Sequence, residues 1–315
     1  MYWNCFELKF QAKSPIYIGY GTQIGIVNRT RYYLLGKTIW GAVTAILSRN
    51  IMERYNAKIY EKVGECVKNN LIFSYFYHIR NKKEVLYPNY TDEGLKYGNL
   101  TSRDFEKEFI SSYVSTAIDI SSRTADEGSL HEFEFISPKV NKEEVCFKGY
   151  LFAKNGIIQK FCDKYLKILE DGIFIEGNNQ NTSLFDLIKN LQIGGERNYG
   201  FGWLEIIKLK PINDNDEIFK KYKVNLKTKY HPEIKTKNGN EIIALSHVNI
   251  DNIENRIEYI KGDIEPLVGR EWNEKGAGQK PEFSCVALVP GTKFRLKDDV
   301  KIKIGDYGIW KIFIG

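Results

Sequence analysis

The sequence predicts an α+β fold weighted toward strands, with a β-rich C-terminal part, and three observations lead there. Near the start, Phe6, Leu8 and Phe10 alternate with Glu7, Lys9 and Gln11, the period of a half-buried strand. From Gly36 onward Ile39, Val43, Ile46, Leu47 and Ile51 recur at helical spacing. Beyond Pro211 the chain reads mostly as strands, including 241–248, 285–289 and a terminal hairpin over 301–314, with Pro290-Gly291 as a turn.

The elements follow in order. The first strand leaves through Ser14-Pro15 into a glycine-bearing loop, and Arg29, Arg31, Tyr32 and Tyr33 form a compact basic and aromatic cluster. The helix opening at Gly36-Lys37-Thr38 is expected to end near Tyr55-Asn56. A phosphate-loop reading of that opening fails, because the required earlier glycine falls on Arg31. Lys37 and Thr38 at a helix N-terminus still suit a phosphate contact. Residues 71–79 read as a strand and 80–110, with Pro88, Gly94 and Gly98, as an irregular insertion. Strands are expected at 113–120 and 131–136, flanking a polar tip that holds Arg123 and Thr124. A strand over 144–153 and helices over 156–169 and 183–191 come next. The second helix delivers the chain into 193–206, where Gly194, Gly195, Gly200 and Gly202 bracket Arg197, Asn198 and Tyr199. Glycine lets main-chain amides approach an anion, arginine offers a fork for phosphate, and tyrosine offers a face for a base. A plain glycine-rich hairpin with one exposed arginine has the same composition. Pro211 starts a polar stretch and is the best boundary, giving parts 1–210 and 211–315. Past it, the segment 262–280 again gathers Arg270, Trp272, glycines and Lys280.

Composition bounds the function. At 315 residues, 43% hydrophobic and 27% charged, this is an ordinary folded chain with room for two domains or one enlarged one. A net charge of +6 is a mild bias toward polyanions. Cys5, Cys66, Cys146, Cys162 and Cys285 are odd in number and unpaired in spacing, which argues against a disulfide framework and for a reducing compartment. No apolar signal core and no 18-residue apolar run occurs, so no membrane span is expected and the cytoplasm is the expected location. His78, His131, His231 and His247 show no paired metal-ligand spacing, and neither metal nor cofactor is expected.

The glycine loop, the helix start Gly36-Lys37-Thr38-Ile39-Trp40-Gly41-Ala42, and the run Ala117-Ile118-Asp119 … Thr124-Ala125 … Gly128-Ser129-Leu130 … Glu134 together resemble the RAMP superfamily, the RNA-binding subunits of CRISPR effector complexes. Thr124 and Ala125 are adjacent here, whereas the family pattern separates them by one residue. The resemblance covers most of 1–210 and the segment 262–292. It implies a ferredoxin-like (RRM-like) domain with a glycine-rich loop and an inserted β-hairpin at 112–136 that hooks over guide RNA. The C-terminal part is then a β-rich extension or a second ferredoxin-like unit.

The function so implied is non-catalytic: binding the 5′ repeat-derived handle of a guide RNA and capping a filament of Cas-seven-type backbone subunits. The subunit most resembled is the Cas-five type, in a type III-D-like or type VII setting, with a large or nuclease subunit as a further partner. RNA contacts are expected from Arg29, Arg31, Tyr32, Lys37, Thr38, Arg123, Thr124, Gly194, Gly195, Arg197, Asn198, Tyr199, Gly200, Arg270 and Trp272. Two alternatives remain: a metal-independent endoribonuclease that matures the guide, for which His78 and His131 are the candidate bases, and a backbone subunit along the spacer. Residues 19–34 hold no Asp or Glu, so the target-cutting aspartate of backbone subunits is missing.

Overall fold

In the computed structural model the described residues are 2–20, 26–51, 56–177, 180–236, 241–251, 256–273, 276–297 and 300–314. The alternating first strand, β1 (Trp3–Ala12), lies inside a seven-stranded sheet. It pairs antiparallel with Cys146–Lys154 on one side and with Trp203–Ile212 on the other. Tyr77–Arg80 and Leu71–Phe73 both pair with Cys146–Lys154, and Asn190–Gln192 closes the far edge against Trp203–Ile212.

Alternation along β1 separates two cores. Phe6, Leu8 and Phe10 pack with Val43 and Leu47 of helix α1 (Gly36–Arg49) and with Val63 and Val67 of helix α2 (Ala57–Asn70). Trp3 and Cys5 face the other way. With Tyr75, Tyr150 and Phe152 they pack against Phe219, Val224, Ile302 and Trp310 of the C-terminal part. There an eight-stranded sheet runs from Glu217–Ile218 through Val300–Ile304, Trp310–Ile314 and Gly276–Leu288 to Ile264–Asn273 at its edge. Fully buried aromatics bury about 150–250 Å² each, so the Trp3–Trp310 layer is a substantial share of what holds the two sheets together.

Several expectations are corrected. Residues 156–169 form a hairpin, Ile157–Phe161 with Lys164–Leu169, rather than a helix. Its turn places Cys162 at φ 55, a left-handed position without a glycine or asparagine to announce it. Residues 183–191 yield only the short helix Leu184–Leu187 and the strand Asn190–Gln192. Residues 80–110 are ordered: a small sheet of Pro88–Thr91, Gly94–Tyr97 and Leu100–Thr101, then a helix Ser102–Phe109 capped by the Thr101 hydroxyl. The strand expected at 71–79 is two strands, and α2 was not expected. The end of α1 falls at Arg49, while Tyr55 lies outside the described residues. Pro211 sits inside strand Trp203–Ile212, opposite Phe6. The strands at 131–136 and over 301–314 lie where expected. No helix among the described residues is long and apolar enough to cross a membrane.

Candidate nucleic-acid interface

Three segments far apart in sequence meet at the edge of the first sheet. The edge strand Asn190–Gln192 ends in the glycine loop, α1 begins beside it, and the long C-terminal hairpin of Ile264–Asn273 and Gly276–Leu288 completes the wall. Together they border a cleft of about 310 Å³ lined by Lys37, Thr38, Gly194, Arg197, Arg270 and Glu271, among others.

The loop is built by its glycines. Gly194 (φ 74) and Gly202 (φ 87) adopt left-handed backbone, and a Cβ there would stand 2.1 Å from the Tyr17 carbonyl oxygen and 1.9 Å from that of Ile193. Gly195 N–H donates to the Tyr17 carbonyl at 3.0 Å and Gly202 N–H to that of Pro15 at 2.7 Å. Gly200 N–H donates to Arg197 and Phe201 N–H to Glu196. The Gly195 and Gly202 amides thus tie the loop to the segment after β1, and those of Gly200 and Phe201 close the turn itself. Arg197, Asn198 and Tyr199 form a single 3-10 turn, and all three are exposed.

The start of α1 has no side-chain cap and no acidic residue in its first turn, which leaves its positive end open to an anion. A Cβ at Gly36 would lie 2.0 Å from the Phe73 carbonyl oxygen, so only glycine admits this approach. The Lys37 ammonium sits 4.0 Å from the Tyr307 ring centre, 4.9 Å from Trp40 and 5.5 Å from Phe283. It makes no hydrogen bond, and its ion pair with Glu271 spans 3.6 Å. Burial lowers this lysine to about 8, with Glu271 pulling against the shift.

The other expected residues lie elsewhere. Arg31 is buried, 2.8 Å from Glu265, and donates to the Tyr33 hydroxyl at 3.0 Å. Glu265 also meets His247 Nε2 at 2.6 Å, and His247 Nδ1 meets the Tyr75 hydroxyl at 2.6 Å. This chain of contacts ties the first sheet to the C-terminal hairpin, so Arg31 works inward. Arg29 lies 3.7 Å from Glu134 and donates to Tyr32, whose hydroxyl donates to Glu106 at 2.8 Å. Arg29, Arg31 and Tyr32 border a separate pocket of about 230 Å³ with Tyr20 and Tyr90.

Arg123 (φ 57) and Thr124 stand exposed at the hairpin tip and do not join the cleft. Asp119 organises that tip by accepting from the Ser122 and Ser121 hydroxyls and the Ser121 amide, which hold its carboxyl at about 2. Trp272 is on strand Ile264–Asn273, and its side chain lies outside the described residues.

His78 is sealed among Phe105, Phe109 and Phe147, and burial lowers it to about 3. The ring Nδ1 of His131 lies 2.9 Å from the Ser129 carbonyl oxygen. Among the described residues no three His, Cys, Asp or Glu side chains gather as a metal site. Sequence reasoning missed the aromatic cage and Glu271, because no local signal joins position 37 to 271 or 307.

In comparisons with known proteins, the RAMP superfamily model matches residues 9–205, well over half of the chain. No curated protein matches. The fold is similar to a chain in the cryo-EM structure of the Type III-B Cmr-beta bound to cognate target RNA and AMPPnP, at a TM-score of 0.51 and 13% identity, covering 91% of this chain and 85% of that one. A crystal structure of a CRISPR protein from Archaeoglobus fulgidus matches at a TM-score of 0.38 and 10% identity, with 98% of each chain covered. With the family model running from the end of the first strand through the helix start and the 112–136 segment to the glycine loop, the chain belongs to the RAMP superfamily.

Proposed function

We propose that this chain is a non-catalytic RNA-binding subunit of a cytoplasmic CRISPR ribonucleoprotein. It holds the 5′ repeat-derived handle of the guide RNA and caps a row of Cas-seven-type backbone subunits, with a large or nuclease subunit as a further neighbour. The observation that carries the reading is the meeting of Lys37, Arg197 and Arg270, from three distant segments, around one cleft at an open helix N-terminus. Solubility alone gives no reason for cations from three distant segments to border one cleft, whereas a phosphate does. The strand order, with Trp203–Ile212 beside β1, β1 beside Cys146–Lys154, and Cys146–Lys154 beside Tyr77–Arg80, supports a ferredoxin-like domain beneath the cleft. The burial of His78 favours binding over cutting, because a general base must reach the hydroxyl it deprotonates.

The test is fluorescence anisotropy with handle RNA at fixed salt. Lys37→Ala, Arg197→Ala and Arg270→Ala are each expected to weaken binding by about 1 kcal/mol or more, as for charge-assisted hydrogen bonds. Arg197→Ala should leave melting within about 0.5 kcal/mol of wild type, being an exposed substitution. Wild-type binding by all three folded variants would remove RNA from this cleft.

A further inference from the structure

Glu271 is the one carboxylate among the described residues that line a cleft of otherwise cationic, polar and apolar groups. A carboxylate there repels phosphate, so a cleft that bound only phosphates would be better without it. Its two oxygens are used unequally. Oε1 faces the Lys37 ammonium and accepts the hydrogen bond donated by the Tyr307 hydroxyl, and no hydrogen bond from the described residues goes to Oε2. Among the described residues Oε2 accepts no hydrogen bond, and the partly exposed side chain lines the cleft, so a ligand there can reach it. Lys37 and Tyr307 thus fix the carboxylate while leaving one acceptor free. They stand on different elements, so its direction is set from two sides.

We infer that Glu271 reads the ribose: its free oxygen accepts a hydrogen bond from a 2′-hydroxyl, making the cleft selective for RNA over DNA. This rests on the RNA-binding reading above and adds the sugar as what the cleft distinguishes. A ribose hydroxyl is a donor that a fixed carboxylate accepts, deoxyribose has none, and the 2′-hydroxyl is the group by which a protein tells the two apart. Arg197 and Arg270 attract the backbone of either nucleic acid equally, so they cannot make this choice. Glu271 also imposes a penalty on any strand that brings phosphate without the compensating hydroxyl.

The experiment measures binding of single-stranded RNA and DNA of one sequence to the full-length wild type, Glu271→Gln and Glu271→Ala, with thermal melts of each. Wild type is expected to prefer RNA by about tenfold or more, the worth of one charge-assisted hydrogen bond. Glu271→Ala should bring the ratio near one, with DNA binding unchanged or tighter. Glu271→Gln keeps an acceptor oxygen and should retain part of the preference. For the wild type alone, which avoids any folding defect, a scan of single 2′-deoxy substitutions should find one sensitive sugar. If Glu271→Ala tightens RNA and DNA by the same factor and the scan is flat, Glu271 only stands in for phosphate and the inference is overturned. If wild type binds no RNA, the functional reading fails and the inference fails with it.

Discussion

Lys37 shows how burial changes what an ordinary lysine can do. Its charge is kept by three rings and one distant carboxylate, and the depressed value of about 8 places its titration within reach of experiment. The sign follows from proton counts. Between about 8 and the ordinary lysine range near 10.4 the unfolded chain binds more protons, so this residue makes stability rise with pH there. Binding runs the opposite way, because phosphate needs the protonated form, so RNA affinity should fall as pH rises past about 8. Lys37→Ala should remove that part of the slope in an anisotropy titration from pH 7 to 9.5, and an unchanged slope would place Lys37 away from RNA. That Lys37 opens a helix was legible from Gly36-Lys37-Thr38. Its cage was not, because Phe283 and Tyr307 reach it only through the packing of the C-terminal part against α1. Arg31 shows the converse: a basic residue in an aromatic cluster looked like an RNA contact, and its buried carboxylate partner, Glu265, had no signature near it.

Among the elements, the glycine loop separates two kinds of glycine that sequence alone treats alike. Gly200 has φ 82 with nothing within 4 Å of a Cβ, whereas Gly202 has φ 87 and a backbone oxygen at 1.9 Å. Gly200→Val should cost about 1–3 kcal/mol from backbone strain alone. Gly202→Val should exceed that and open the join between Ile193 and the following strand. Denaturant unfolding of both variants checks the ranking, and equal losses would contradict this loop geometry. Elements with strong periodicity were legible: β1, the start of α1 and the strand His131–Ile136. The hairpin at 157–169 was not, since Ile157, Phe161, Leu166 and Ile168 satisfy helical and alternating spacing nearly alike. Helix α2 hid for another reason. It buries few apolar side chains, among them Val63, Cys66 and Val67, along an otherwise charged sequence.

For the whole molecule, the expected division at 210/211 meets a strand that crosses it and a core shared across it. A chain ending at residue 212 would keep the first sheet but uncover Trp3, Tyr75, Tyr150 and Phe152. Burial of such side chains is worth about 1.5–3 kcal/mol each, and a typical domain has only about 5–15 kcal/mol in hand. The truncated chain is expected to aggregate or melt without cooperativity; a soluble fragment with a sharp transition would show that the C-terminal sheet is dispensable for folding. Salt gives a second measure at this scale. With three cleft cations on a single strand, log affinity should change with log salt at a slope of about −2, from roughly 0.7 per phosphate neutralised. A much steeper slope would mean that RNA extends well beyond the cleft.

The layer between the two sheets also governs how a strand can be held. The C-terminal sheet occupies the face of the first sheet that carries Trp3 and Tyr150, so on the proposed reading RNA has no flat platform and meets the molecule along a rim. A platform confines a strand in two directions; a rim confines it in one. The strand can continue past either end of the contact, and its outward side stays uncovered. A single copy then marks one position on a guide without enclosing it, leaving space alongside for whatever reads the next nucleotides.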